Sequence, residues 1–303
     1  MAAAHRRLSA YLTVQTDNLK RGATLMIASG LLFATMGGII KYISAHLPNE
    51  MVVFFRSFLG LLVLFPWVWQ RGFGQLKTQK LRGHLLRGLA GLTAMYCYFY
   101  SIAHMSLAEA TLLNYASPLF VPFISVLWLG EKIPGRLWVT IAIGFLGILL
   151  ILKPGMALFE PVSLIGVASG FFAALAVVSV RRLTSSEPTL RIVFYFSAVC
   201  TVVSAVPLIW RWQAPEPGLW ISLLAVGVLA SMAQSLLTRA YSCAAAAQVG
   251  PFTYSTVVFA AMVGGIFWGE ILDIFSFAGA LLVCLAGILT IRLAGQRVLT
   301  VGK

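Results

Sequence analysis

The sequence predicts an all-α polytopic membrane protein: ten transmembrane helices arranged as two inverted five-helix repeats around a central cavity. Three observations carry this. Hydrophobic residues make up 60% of the chain and charged residues 10%, with a mean hydropathy of +0.91, which does not describe a soluble globule. Ten apolar runs, at 22–45, 50–70, 85–103, 107–129, 137–153, 161–181, 190–210, 218–239, 247–269 and 274–292, are each about long enough to cross a ~30 Å hydrocarbon layer. The stretch from Glu109 to Glu131 returns 139 positions later: Tyr115 falls on Tyr254, and Gly130-Glu131 on Gly269-Glu270.

The charge distribution sets the topology. With the N-terminus inside, eighteen of the 22 Lys and Arg fall on the cytoplasmic side, Arg87 among them, and three (Lys41, Lys153, Arg211) outside. Arg56 lies within a span. That asymmetry is the positive-inside pattern, placing both termini in the cytoplasm. The +13 net charge therefore reports orientation, and nucleic acid is not an expected partner. The chain divides into a cytoplasmic tail (1–19), a first repeat (20–155), a second, inverted repeat (156–293) and a short cytoplasmic tail (294–303).

Span one carries Gly30 and the Gly37-Gly38 pair, small residues that permit close backbone approach. Span two holds Arg56, the only arginine well inside a span, about 9 Å along a helix from Glu50. A buried arginine needs a partner or a water-filled site. Arg56 could meet Glu109, bind backbone carbonyls, or take a substrate carboxylate in a bidentate grip. On span three, Tyr96, Tyr100 and His104 recur at i, i+4, i+8, either as an aromatic packing stripe or as a wall that stacks on a ligand.

Span four contains Asn114, Tyr115, Ser117, Pro118 and Pro122. Proline has no N–H, so Pro118 strands the carbonyl of Asn114, and Pro122 that of Pro118. In hydrocarbon, freed carbonyls survive only beside other helices or a water-filled cavity. Span nine repeats the device with Pro251, which frees the carbonyl of Ala247. Breaks in corresponding halves point to a central binding site. Span five is nearly featureless, as expected of a helix facing lipid or a second subunit.

The second half repeats the first at an offset of 140: Ala28-Ser29-Gly30 meets Ala168-Ser169-Gly170, Lys41 meets Arg181, Pro48 meets Pro188, and Ser57 meets Ser197. A unit of five crossings is odd-numbered, so its copy enters the membrane upside down. Span eight carries Gln234 and ends at Arg239, and Gln248 opens span nine, all toward the cytoplasm. Arg56, Tyr100, His104 and Glu109 lie toward the outside. Each mouth of the pathway thus has its own polar collar, and these residues are the gating or coupling candidates.

All nine acidic residues sit at or beyond span ends. If protons drive transport, His104 and Glu109 are the candidates; alternatively Glu109 caps the positive N-terminus of span four. Cys97, Cys200, Cys243 and Cys284 lie within spans without C-x-x-C spacing and read as core residues. Neither a metal site nor a cofactor is expected. Hydrolase, zincin and P-loop signatures are absent from the sequence, and catalytic residues are not predicted.

Ten spans in two five-span units, a Gly-Glu closing each fourth span, Phe54-Phe55-Arg56, Leu86-Arg87-Gly88 and Lys153-Pro154 together resemble the EamA-type transporters of the drug/metabolite transporter superfamily. The resemblance covers about residues 20–293. It implies a bacterial inner-membrane, multi-pass secondary transporter, monomeric or homodimeric, for a small-molecule substrate. In that fold, spans one, three, four, six, eight and nine surround the cavity, lined by Tyr96, Tyr100, Asn114, Tyr115, Gln234, Thr253 and Tyr254. A cavity with few fixed charges suits a zwitterion or polar neutral solute. An exporter of amino-acid-like metabolites, such as an opine-type metallophore, is the expected function. Uptake or exchange of a metabolite such as S-adenosylmethionine is the rival, and a membrane enzyme or lipid flippase the alternative from another class.

Overall fold

The computed structural model describes residues 2–129, 135–152, 161–184, 186–243 and 250–301. Regular structure among them is entirely helical. The helices are α1 (Ala2–Ser44), α2 (Asn49–Arg71), α3 (Leu81–His104), α4 (Leu107–Tyr115), α5 (Ser117–Leu129), α6 (Gly135–Leu152), α7 (Pro161–Thr184), α8 (Thr189–Ala205), α9 (Leu208–Arg211), α10 (Leu219–Cys243), α11 (Ser255–Trp268) and α12 (Ile274–Val301). Short 3₁₀ turns lie at Phe73–Leu76 and Gly250–Tyr254.

The ten predicted spans map onto these elements in order, with span four divided into α4 and α5, and span nine into the Gly250–Tyr254 turn and α11. Among the described residues, five segments are long and apolar enough by themselves to cross a membrane: Leu19–Ser44, Asn49–Gln70, Leu107–Ile124, Pro161–Val180 and Leu219–Leu237. Spans five, seven, nine and ten appear as shorter apolar helices, and span three as α3, whose first two turns carry Arg82, His84 and Arg87. α1 begins at Ala2 and α12 runs to Val301, so helix continues through most of the two segments assigned as tails.

Helix pairing carries the inverted symmetry. α3 packs on α7 and α1 on α10, which are spans three with six and one with eight, each pair the image of the other under the repeat. Likewise α1 meets α11 while α7 meets α4 and α5, and α6 lies against its own counterpart α12. The buried core divides in two across this arrangement. One cluster joins α1, α2 and α3 to α8 and α10 through residues such as Ile40, Val52, Phe99, Cys200 and Leu223. The other joins α4 to α7 with α11 and α12 through Leu112, Leu119, Ile148, Val178, Val257 and Val283. Each core therefore draws on both repeats, and neither repeat buries its own apolar faces alone. The outward surface is apolar as well, with Leu127, Leu146, Ile209, Ile221 and Phe267 among its exposed side chains, as hydrocarbon solvation demands.

Candidate transport pathway and the closure at one end

The break in span four has a defined geometry. Ala116 adopts φ −71°, ψ −3°, and its N–H turns back to the carbonyl of Leu113 at 3.3 Å. Pro118 has no N–H to offer Asn114, so the chain tightens there and restarts as α5. α7 presents Gly170 to this break: a Cβ at that position would lie 2.5 Å from the carbonyl oxygen of Leu113 and 3.6 Å from that of Asn114. Gly30 on α1, the repeat counterpart of Gly170, meets the restart of span nine, where a Cβ would lie 2.7 Å from Ser255 Oγ and 3.1 Å from the backbone nitrogen of Thr256. The two broken helices are thus each held against a glycine of the first helix of one repeat. Beside the first break, Asn114 Nδ2 donates to Ser169 Oγ at 3.3 Å, and Ser169 donates to the Gly166 carbonyl at 2.6 Å.

At the predicted outer end, the repeats are joined by charge. α11 terminates at Gly269 in the left-handed region (φ +65°), with Gly269 N–H to the Gly265 carbonyl at 3.1 Å and Glu270 N–H to that of Gly264 at 3.2 Å. This glycine cap turns the chain back on itself. It lays the Glu270 carboxylate over Gly264, where a side chain would collide with it. Glu270 Oε1 receives the Lys41 ammonium in an ion pair, while Oε2 accepts the N–H of Leu107 at 2.8 Å. Lys41 also donates to the Met105 carbonyl at 2.7 Å and lies over the Trp268 ring at 5.9 Å.

A second acid serves the same helix end. Ser106 is the N-cap of α4: its Oγ accepts from Glu109 N–H at 3.2 Å, and its hydroxyl donates to Glu109 Oε2 at 2.8 Å. Ser276, from the first turn of α12, donates to Glu109 Oε1 at 2.5 Å. Two carboxylates therefore meet the positive end of α4, the arrangement its orphan N–H groups favour.

At the predicted cytoplasmic end, Glu187 gathers a cross-repeat cluster. Thr78 Oγ1 donates to Glu187 Oε1 at 2.8 Å and Arg191 Nη1 to Oε2 at 2.6 Å, with His84 Nε2 3.7 Å away. Arg191 Nε also bonds the Gln75 carbonyl at 2.6 Å, and Tyr195 OH bonds that of Leu76 at 3.0 Å. Burial opposes the charge of Glu187, but the hydrogen bonds from Arg191 and Thr78 outweigh it and hold the carboxyl below its ordinary range.

The predicted lining residues are distributed as follows. Tyr96 is half-buried, its hydroxyl enclosed without a partner and its carbonyl bonded by Asn49 Nδ2 at 3.0 Å. Tyr100 stacks on His104 with ring centroids 4.1 Å apart, and His104 Nδ1 sits 2.8 Å from the Tyr100 carbonyl, on the exposed side. Tyr115 packs on the second core cluster, and Gln234 and Thr253 are half-buried. Tyr254 is buried, its hydroxyl against Gly287 and without a hydrogen-bond partner. Arg239 is exposed near the end of α10; Pro122 is buried within α5, and Pro118 half-buried at its start. Gln248 lies outside the described residues, as do Glu131, Lys153-Pro154 and the side chain of Pro251.

Arg56 is placed against the Phe196 ring, 5.8 Å from its centroid, beside Arg87. Arg87, counted with the cytoplasmic charges, instead turns its guanidinium into the bundle. Lys41, Glu270, Glu187 and Arg87 were not singled out as functional from the sequence. The repeat offset held a signal for one contact, since 140 added to Arg56 gives Phe196.

This arrangement, in which two broken helices face glycines of symmetry-related neighbours and the halves interlock across a pseudo-two-fold, is that of a carrier rather than of an anchored soluble domain. Residues 20–153 and 161–292 both match the EamA-like transporter family. The chain belongs to that family. As a member of the drug/metabolite transporter superfamily it is a multi-pass membrane protein and a transporter of small metabolites. The pseudopaline exporter CntI of Pseudomonas aeruginosa is 39% identical over 273 residues, covering 89% of this chain and 95% of that protein. The riboflavin transporter of Vibrio cholerae is 29% identical, covering 82% and 85%. An S-adenosylmethionine uptake transporter of Rickettsia felis is likewise 29% identical, covering 80% and 83%. A crystal structure at 18% identity superposes with a TM-score of 0.63 over 91% of this chain and 98% of its own, a likeness of fold.

Proposed function

We propose that the protein exports an amino-acid-derived carboxylate, of the opine metallophore class, from the cytoplasm across the bacterial inner membrane by alternating access. The observation that carries this reading is its likeness to the pseudopaline exporter along nearly the whole of both chains. The charge pattern supports it. Every Asp and Glu of the sequence sits at or beyond a span end, whereas Arg56 lies well inside one, so the fixed charge deep in the membrane favours an organic anion over a cation. The basic asymmetry supports an orientation with both termini in the cytoplasm. Tyr96, Tyr100, Asn114, Tyr115, Gln234, Thr253 and Tyr254 supply the neutral polar wall. His104, Glu109, Arg239 and Gln248 serve the two mouths. The reading assigns no enzymatic step, and the working unit is a monomer or homodimer.

Labelled opine should accumulate in inverted membrane vesicles made from cells carrying the protein and not in right-side-out ones. Accumulation of S-adenosylmethionine in right-side-out vesicles, with no opine movement in either, would replace this reading with uptake, which the Rickettsia relative favours.

A further inference from the structure

We propose that Arg56 and Arg87 form a carboxylate-binding subsite at mid-membrane, between α2, α3 and α8. The subsite deepens the export reading above, on which its choice of ligand rests.

The two guanidiniums share one aromatic ring. The Arg87 head lies 4.1 Å and the Arg56 head 5.8 Å from the centroid of Phe196. Arg56 is in the second turn of α2 from its Asn49 end, and Arg87 in the second turn of α3 from its Leu81 end. Those ends are on opposite sides of the membrane, because α2 and α3 are consecutive crossings. Two long side chains starting near opposite faces therefore converge halfway. Neither arginine takes part in the ion pairs at Glu270, Glu187 and Glu50. Arg56 Nε, Arg87 Nε and Arg87 Nη1 are all buried without a hydrogen-bond partner. The ring of one phenylalanine compensates only part of what two desolvated cations lose.

What the cluster lacks among the described residues is a charged acceptor. A guanidinium carries five N–H donors and no lone pair to offer. Ser57 Oγ, next to Arg56 in the chain, and Tyr96 OH are likewise enclosed without partners, and a neutral hydroxyl offers a guanidinium at most a single uncharged bond. Cys200 lies within electrostatic range of both arginines and of Tyr96, and its thiol points to the Gly88 carbonyl at 3.7 Å. A carboxylate satisfies such a donor set, because its two oxygens match the arginine fork.

Location adds a reason for transport rather than architecture. Phe196 is the repeat counterpart of Arg56, so the subsite straddles the pseudo-two-fold axis that relates the halves. An arginine at both positions would set like charges against each other; a ring in one copy leaves a π-face for the guanidinium of the other. An anion held there is bonded by α2 and α3 of one half and flanked by α8 of the other. Relative movement of the halves then changes its coordination, as alternating access requires.

The test uses purified full-length protein in phosphatidylcholine nanodiscs. Glutarate, a minimal dicarboxylate, should raise the melting temperature in a saturable manner, and glutaramide, its uncharged analogue of the same shape, should not. Labelled glutarate should bind Arg56→Lys and Arg87→Lys at least about ten-fold more weakly, since an ammonium keeps the charge but not the fork. The exposed Arg211→Gln should bind as wild type. Equal effects of glutarate and glutaramide on the wild-type protein would overturn the subsite, as would unchanged binding in both lysine variants. The wild-type comparison decides alone if the variants do not fold. If glutarate binds in this way but labelled opine is not transported, the substrate reading falls and the subsite stands. If opine is transported and the two probes act alike, the subsite falls and the carrier reading stands.

Discussion

The ammonium of Lys41 on α1 is paired with the carboxylate of Glu270 just beyond α11, joining one half of the molecule to the other at a single end. The same carboxylate caps Leu107 N–H, so span one, span four and the end of span nine meet at one anion. Alternating access requires that this junction part in another state. The side chains are only 13% and 18% exposed, and removing one partner of a buried pair costs about 3 kcal/mol. Lys41→Ala and Glu270→Gln should each lower thermal stability and let a thiol reagent added from outside reach a cysteine placed at position 102. The exchanged pair, Lys41→Glu with Glu270→Lys, should recover part of both losses. A double variant no better than the worse single one would show that the contact does not hold the end shut.

Gly170 and Gly30 are equivalent in the repeat but not in what they touch. A methyl on Gly170 meets the backbone carbonyl of Leu113 at 2.5 Å, which cannot rotate away; on Gly30 the two nearest atoms are the hydroxyl oxygens of Ser255 and Thr256, at 2.7 and 2.9 Å, with the Thr256 backbone nitrogen at 3.1 Å. Overpacking costs about 1–3 kcal/mol, and alanine in a helix returns up to about 1 kcal/mol. Gly170→Ala should therefore lower the melting temperature more than Gly30→Ala does. Equal effects would mean that the span-four break is not pinned by α7.

Much of this could be read beforehand, and the parts that could not share a cause. Hydropathy located the spans because the bilayer imposes a length on every crossing. Pro118 located the break because a missing N–H acts locally. The offset matched Gly30 to Gly170 and Arg56 to Phe196. Lys41 with Glu270 escaped because an ion pair between positions 229 apart leaves no periodicity. Arg87 was misassigned for a related reason: near a helix end, a long side chain can snorkel to water or turn inward, and only the packing of Phe196 and Gly91 around it decides which.

Glu187 makes the stability of the predicted cytoplasmic end depend on pH. Burial works against its charge, yet Arg191 and Thr78 hold it ionised, and its carboxyl stays below the ordinary 4.5. A depressed carboxyl stabilises the fold fully above its unfolded value and loses that contribution as pH falls through the folded value. The melting temperature of the wild-type protein should therefore fall more steeply below about pH 4.5 than that of Glu187→Gln. Parallel curves would remove Glu187 from the account.

Glu109 can be assigned by separating stability from coupling. Its bonds to Ser106 and Ser276 are those of a helix cap, and the loss of such a cap costs about 1 kcal/mol. Ser106→Ala should lower the melting temperature without altering how transport varies with pH. Glu109→Gln should do the same. A Glu109→Gln carrier whose transport no longer responds to a proton gradient would make this residue the proton carrier instead.

Tyr254 offers a sharper division, because its hydroxyl is buried, crowded by Gly287 and without a partner. An enclosed hydroxyl left unbonded costs about 1–3 kcal/mol, so a purely structural ring would be better as phenylalanine. The repeat nevertheless has tyrosine at both 115 and 254, beside the breaks in spans four and nine. The proposed role of Tyr254 in the pathway wall would give this orphan hydroxyl a partner that arrives with the solute. Tyr254→Phe should therefore raise the melting temperature by about 2 °C or more while reducing vesicle transport at subsaturating solute. A stabilised variant that transports as well as wild type would return Tyr254 to the core and leave the wall of the pathway to Asn114, Gln234 and Thr253.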